Sequence, residues 1–251
     1  MTIRRTVLAG VLAMSVSTLA LAQDVEPSNP TLAAAKAATD AGDIAQALAL
    51  YEQAVTEGQA SGAAQLARLY MEGGEGLAPD YALAMDWAQK ASDMGDGRGL
   101  LYLGKIWMEG LGVTADLDKA AAYFTQADAG GDIKAARYLG LIATEKGNEA
   151  ASAEWFAKGA ESGDITSQYY LGRAYELGLG VTQDYDKAMT WYEASAKRGD
   201  IIASDGMVGM ASLYERGEGV ERDRRRAVAL YQQAADLGNE TAQAALTRLG
   251  R

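Results

Sequence analysis

The sequence contains no cysteine and no histidine, and only three prolines and two phenylalanines in 251 residues. Without cysteine and histidine the chain has no thiolate nucleophile, no imidazole base, no Ser–His–Asp relay and no ordinary zinc site. Disulfide bonds are excluded as well, so the fold must be stabilised by packing. We therefore expect a protein that needs no cofactor and no metal, and that is not an enzyme.

Basic residues are outnumbered: 34 Asp and Glu residues face 23 Lys and Arg residues, which gives a net charge of −11. An acidic chain lacks the basic footprint that phosphate backbones require, so we expect no nucleic acid partner. The apolar share of 49% argues against disorder for most of the chain.

The first 22 residues have the three parts of a secretory signal peptide. Arg4 and Arg5 form a basic start, Val7 to Leu21 is mostly apolar, and Ala20-Leu21-Ala22 is a cleavage site. An uncleaved anchor is the alternative, but the apolar run is shorter than the roughly 20 residues that span a bilayer. We expect residues 1–22 to be removed, residues 23–30 to be a linker, and the mature protein to be periplasmic or secreted by a Gram-negative bacterium, without stable membrane insertion.

One pattern recurs six times: an aromatic residue or Leu, a small residue four places on, and Gly eight places on. The distances between successive copies are 37, 36, 32, 36 and 39 residues. A small residue also lies three places before each start, so these positions share one face of an amphipathic helix, here called helix B. The copies begin at Leu50, Trp87, Tyr123, Trp155, Trp191 and Leu230.

A second helix, helix A, precedes five of these copies. It has a large apolar residue, then Gly or Ala, then usually an aromatic residue; its copies begin at Leu66, Leu103, Leu139, Leu171 and Met210. Loops such as GLGVTAD (residues 110–116) and GLGVTQD (residues 178–184) join A to B, with Gly predicted in the left-handed region and Asp as the N-cap. The third copy lacks this loop and has only Lys146-Gly147-Asn148, while three extra residues occur near Ser204 to Met207. A two-helix period of this length predicts an α-solenoid.

The segment from Leu171 to Asp200 resembles a Sel-one-like repeat, a relative of the tetratricopeptide repeat, and Lys119-Ala120 and Lys187-Ala188 match its KA element. The resemblance implies an all-α, right-handed α/α solenoid of about five to six helix-turn-helix repeats. It implies a degenerate repeat at residues 31–58, regular repeats at residues 59–238 and a capping helix at residues 239–251. It also implies a non-catalytic scaffold that binds a protein or peptide, with exported relatives in envelope signalling.

Helix A carries residues that the repeat pattern does not explain. Tyr102, Tyr138 and Tyr170 each precede an apolar anchor, and Arg68, Lys105 and Arg173 each follow one by two places. In the related tetratricopeptide repeat the matching positions line the concave groove, so this stripe predicts binding of an extended peptide with an acidic group. The alternative is that the tyrosines cover aliphatic surface of a neighbouring repeat.

A second candidate patch lies at the start of the last helix B, where four basic residues oppose the helix dipole: Arg222, Arg224, Arg225 and Arg226. Docking of a partner and neutralisation of the acidic chain both explain this patch. Two further functions stay open for the whole chain. One is a cell-wall lytic enzyme, since carboxylates alone can hydrolyse glycosides, and the other is a self-associating structural protein.

Overall fold

Thirteen α-helices follow one another in residues 29–250, the part of the chain that the computed structural model describes. The predicted signal peptide and nearly all of the predicted linker lie outside the described residues. The helices are α1 (Pro30–Asp40), α2 (Ile44–Thr56), α3 (Ala60–Glu72), α4 (Tyr81–Asp93), α5 (Arg98–Glu109), α6 (Leu117–Ala129), α7 (Ala135–Glu145), α8 (Glu149–Glu161), α9 (Ile165–Leu177), α10 (Tyr185–Ala196), α11 (Ser204–Arg216), α12 (Arg224–Asp236) and α13 (Glu240–Arg248). Within the described residues no strand occurs, and the all-α solenoid predicted from the repeats is confirmed.

The ends of the helices follow the local sequence. Asp80, Asp116, Asp184 and Asp223 each accept hydrogen bonds from backbone N–H groups in the first turn of a B helix, as predicted. Gly178 ends α9 in the left-handed region at φ 71° and ψ 30°, where a side chain would be strained. Each loop thus stops one helix and begins the next by local chemistry alone.

The helices form two layers. The odd-numbered helices from α3 to α11 are the A helices, and the even-numbered ones are the B helices. Helix A contacts the A helix of the next repeat at α3–α5, α7–α9 and α9–α11. Close spacing of neighbouring A helices is expected for the inner layer of a curved solenoid, where the repeats converge. The A helices therefore form the concave side.

Small residues on helix A allow the aromatic ring of helix B to approach its backbone. A Cβ added at Gly104 would lie 2.5 Å from the buried Phe124 ring, and one added at Gly140 would lie 2.6 Å from Phe156. Tyr192 is held in the same way between Gly172 and Gly209. The Gly and Ala positions of the repeat are thus required by packing of the core.

Two repeats depart from the pattern. The three extra residues form a 3-10 turn at Ile201–Ala203, directly before α11 and slightly earlier than the sequence places them. Between α7 and α8 the chain turns through Lys146, Gly147 and Asn148 alone, with Asn148 as the N-cap of α8. The missing loop leaves a gap in the wall of the solenoid.

Candidate interaction surface

The three tyrosines predicted to line the groove are all half-buried. The Tyr138 ring stacks on Phe124 of the preceding B helix, with centroids 4.7 Å apart, and Tyr170 stacks on Phe156 at 4.8 Å. Tyr102 packs among the first repeats, and burial raises the pKa of its hydroxyl. Each ring therefore contributes to the core while keeping part of its surface in solvent.

The three basic residues of the stripe differ in their contacts. Arg68 forms an ion pair with Glu72 at 2.8 Å and donates to Gln65 at 3.1 Å. Lys105 is half-buried and Arg173 is exposed, and within residues 29–250 neither forms an ion pair. Lys105 and Arg173 are thus the stripe cations whose charge is not matched by an acid of the described chain.

A cavity of about 670 Å³ opens where the loop between α7 and α8 is short. Its walls are mainly apolar and include Met108, Leu117, Leu141 and Phe156. Two stripe residues of α9 complete the wall, namely Tyr170 and Arg173. The structure thus brings together stripe positions of two successive A helices, Leu141 from α7 and the Tyr–Arg pair from α9.

Acidic side chains from the two ends of the short turn also line this cavity. Glu145 ends α7 and Glu149 begins α8, both are exposed, and both belong to the lining. The cavity therefore has a basic edge on the side of α9 and an acidic edge on the side of the short turn.

A polar network that the repeat pattern did not predict joins the last repeats. The buried Tyr192 hydroxyl donates to the carboxylate of Glu176, which also pairs with Arg216 of the next repeat. The same trio recurs one repeat later, where Tyr231 donates to Glu215 at 3.1 Å and Arg248 pairs with Glu215 at 2.6 Å. Each trio links three helices.

A signal for this network exists in the sequence. Among the repeats that begin with α3, the residue that follows the helix-B start is Tyr only where the matching helix-A position is Glu. In the three earlier repeats the pairs are Met71 with Ala88, Met108 with Phe124, and Thr144 with Phe156. A buried phenol needs a hydrogen-bond partner, whereas Phe and Ala do not.

The second candidate patch makes mostly internal contacts. Arg222 donates to the Glu215 carbonyl at 2.9 Å, Arg224 donates to the Leu249 carbonyl at 3.2 Å, and the Arg226 guanidinium lies 4.4 Å from the centre of the Tyr214 ring. These bonds fasten the start of α12 to α11 and α13. For Arg225 no such bond occurs within residues 29–250.

Two general features of the described residues bear on partners. No helix among them is both long and apolar enough to cross a membrane. Nowhere in residues 29–250 do three acidic side chains converge in a way that could hold a metal ion.

Comparison with known proteins gives a consistent family. The model of the Sel1 repeat matches residues 39–59, 60–96, 98–132, 133–164, 165–200 and 204–239. The crystal structure of a Sel1 repeat protein from Oxalobacter formigenes is similar, with a TM-score of 0.74 and 22% identity, covering 89% of each chain. That level of identity supports the fold alone.

The curated relatives are longer proteins than this chain. A protein of Neisseria meningitidis named only as uncharacterised is 28% identical over 170 residues, which cover 66% of this chain and 35% of that protein. The DAP3-binding cell death enhancer 1 of Rattus norvegicus is 30% identical over 161 residues, covering 48% of this chain and 32% of that protein. The chain thus spans about a third of these relatives.

Sel1 repeats typically mediate interactions between proteins and are generally non-catalytic. The family model covers most of the chain, and the A and B helices of the structure have the order and spacing that this repeat requires. The chain therefore belongs to the Sel1 repeat family.

Proposed function

We propose that this protein is an exported, non-catalytic scaffold that binds an extended, acidic peptide segment of a partner protein along its concave A helices. The observation that carries the proposal is that Lys105 and Arg173 have no acidic partner within the described residues. Both lie on A helices of a strongly acidic chain, and neither forms an ion pair within the described residues. A carboxylate of a partner would supply the missing charge.

The tyrosines support the same surface. Tyr170 is held by stacking on Phe156, so little side-chain entropy is lost when a partner covers its free side. Tyr138 is held by stacking on Phe124, and Tyr102 packs against the cluster of Ala67, Ala88 and Leu103. Rigid aromatic rings beside a free guanidinium are typical of energetically important positions in interfaces.

Reversal of charge tests the proposal more cleanly than removal of the rings, which would also disturb the core. We expect Lys105→Glu with Arg173→Glu to weaken binding of the partner at least tenfold while helicity is unchanged. The matched control is Lys134→Glu with Lys197→Glu, since these lysines are exposed and also form no ion pair within residues 29–250. Crosslinked capture from envelope fractions, quantified for the three proteins, is the measurement.

Equal capture by all three proteins would contradict the proposal, and so would activity on purified peptidoglycan. Export has its own test. Mass spectrometry of the protein expressed in a Gram-negative host should find a mature N-terminus at Gln23, which follows Ala20-Leu21-Ala22. An envelope-signalling role is the setting that we propose for such a scaffold.

A further inference from the structure

Each regular loop between helix A and helix B covers the start of the preceding B helix. A Cβ added at Gly112 would lie 2.8 Å from Tyr81, the first residue of α4, and one added at Gly219 would lie 2.4 Å from Tyr185, the first residue of α10. Gly180 sits on the first residue of α8 in the same manner. The second Gly of the loop therefore allows the loop to contact the preceding B helix closely, because a side chain there would clash.

The same loops insert aliphatic side chains between repeats. Leu111 and Val113 of the α5–α6 loop pack on Met71 and Ala84 of the previous repeat. Val220 of the α11–α12 loop packs on the cluster around Met189. A Leu and a Val two residues apart thus fill this space in the α5–α6 loop, and a single Val does so in the α11–α12 loop.

The α7–α8 repeat has no such loop, and the residues that it would cover are those that line the cavity. Leu117 begins α6, as Tyr81 begins α4, and Met108 occupies the helix-A position of Met71. Both face the cavity of about 670 Å³. The cavity therefore lies at the position that the A-to-B loop fills in the regular repeats, and we call this position the seat.

From this correspondence we infer that the seat binds a partner segment in place of the loop, namely an extended peptide with two aliphatic side chains two residues apart and a carboxylate beside them. The aliphatic pair replaces the Leu and Val of the regular loop, and the carboxylate pairs with Arg173 at the edge formed by α9. Glu145 and Glu149, which line the cavity at the short turn, repel a carboxylate, so that the acidic group of the peptide is directed to Arg173. This inference rests on the proposed binding of an acidic peptide and gives it a specific anchor.

The test restores the loop. In one variant Lys146-Gly147-Asn148 is replaced by GLGVTQD, copied from residues 178–184, so that the chain fills its own seat. A second variant, Ala115→Trp, fills the seat from an exposed lining residue and guards against misfolding of the first. A random twelve-residue peptide library is panned on the chain from Gln23 and on both variants, after circular dichroism has shown equal helicity.

We expect the unmodified protein to enrich acidic peptides with an aliphatic pair, and the seat-filled variants to bind these peptides at least tenfold more weakly. We also expect Arg173→Glu to shift the selected charge from acidic to basic. If both seat-filled variants enrich the same acidic peptides as the unmodified protein, the seat is not the binding site, whereas the proposed function still stands.

Absence of any enriched family would overturn both the seat and the proposed function. A second copy of the chain is the competing occupant. Dimerisation of the unmodified protein that the loop-restored variant lacks, measured by sedimentation, would overturn the inference in favour of that copy.

Discussion

The hydrogen bond between Tyr192 and Glu176 can be tested by a double-mutant cycle built from the chain's own repeats. The Tyr192 side chain is 1% exposed and that of Glu176 is 9% exposed, so neither polar group can turn to water. The matching pair in an earlier repeat is Phe124 with Met108, which carries no hydrogen bond. Tyr192→Phe with Glu176→Met therefore converts one native pair into another.

The single changes should each be costly. Tyr192→Phe removes a hydrogen bond to a charged group, which lowers the free energy of unfolding by about 1.5 kcal/mol. Glu176→Met leaves a buried hydroxyl without a partner and costs about 2–3 kcal/mol. Arg216 adds little to this cost because its side chain is 42% exposed and also pairs with Glu218.

The double variant leaves no buried polar group at this position. We expect it to cost about 2 kcal/mol, well below the sum of about 4 kcal/mol for the single changes. Urea unfolding followed by circular dichroism gives the totals, and hydrogen exchange in α10 reports the local effect, since repeats can open separately. Tyr185→Phe is the control and should change little, because the Tyr185 hydroxyl at the start of the same helix accepts only a solvent-exposed hydrogen bond from Gln183.

Additivity of the two changes within about 0.5 kcal/mol would refute this reasoning, because independent sites add to that precision. A double variant less stable than the wild type by the full sum of the two single changes would mean that the ring and the carboxylate act separately. The Phe–Met pair would then owe its stability to its own repeat.

Three further predictions concern a glycine, an acid and a phenol. Gly180→Ala should destabilise far more than Gly42→Ala; both need a positive φ, which costs roughly 1–2 kcal/mol for Ala, but only at Gly180 would the new Cβ meet backbone, at 2.1 Å. Hydrogen bonding from Arg248 lowers the pKa of Glu215 against the opposing effect of burial, so the unfolded chain takes up the proton first and the stabilisation is lost as the pH falls below about 4.5. Between pH 6 and pH 3.5 the urea midpoint should therefore fall more for the wild type than for Arg248→Leu, and equal falls would contradict this. Burial, followed by the bond to Glu176, raises the pKa of Tyr192, so absorbance at 295 nm should show this phenol ionising only when the protein unfolds in alkali.

Much of the fold was predictable because its determinants are local. The spacing of Leu171, Gly172 and Tyr175 defines one helix face, and the Gly178 to Asp184 loop ends one helix and caps the next. These interactions lie within a few residues along the chain, so the sequence carries them directly. The order of the helices and the repeat length follow from the same pattern.

The candidate site was only partly predictable. The stripe of Tyr102, Tyr138 and Tyr170 could be assigned to helix A, but whether the rings stack on Phe124 and Phe156 depends on the neighbouring B helix. The missing loop after α7 was visible in the spacing, yet spacing does not say which side chains surround a gap. The patch at Arg222 to Arg226 was correctly placed at the start of α12, while its bonds to α11 and α13 were not foreseen.

The sequence by itself determined that the chain is a solenoid of paired helices, because each repeat specifies its own helices, turns and small-residue contacts. Only the tertiary structure decided where those repeats leave space or charge unmatched. The cavity beside Leu141 and Arg173 is lined by residues up to 71 positions apart, from Met108 to Leu179, and the trio around Glu176 joins residues 16 and 40 positions apart. These residues meet only after successive repeats have stacked. Contacts of that separation depend on the angle between repeats, and no single repeat encodes that angle.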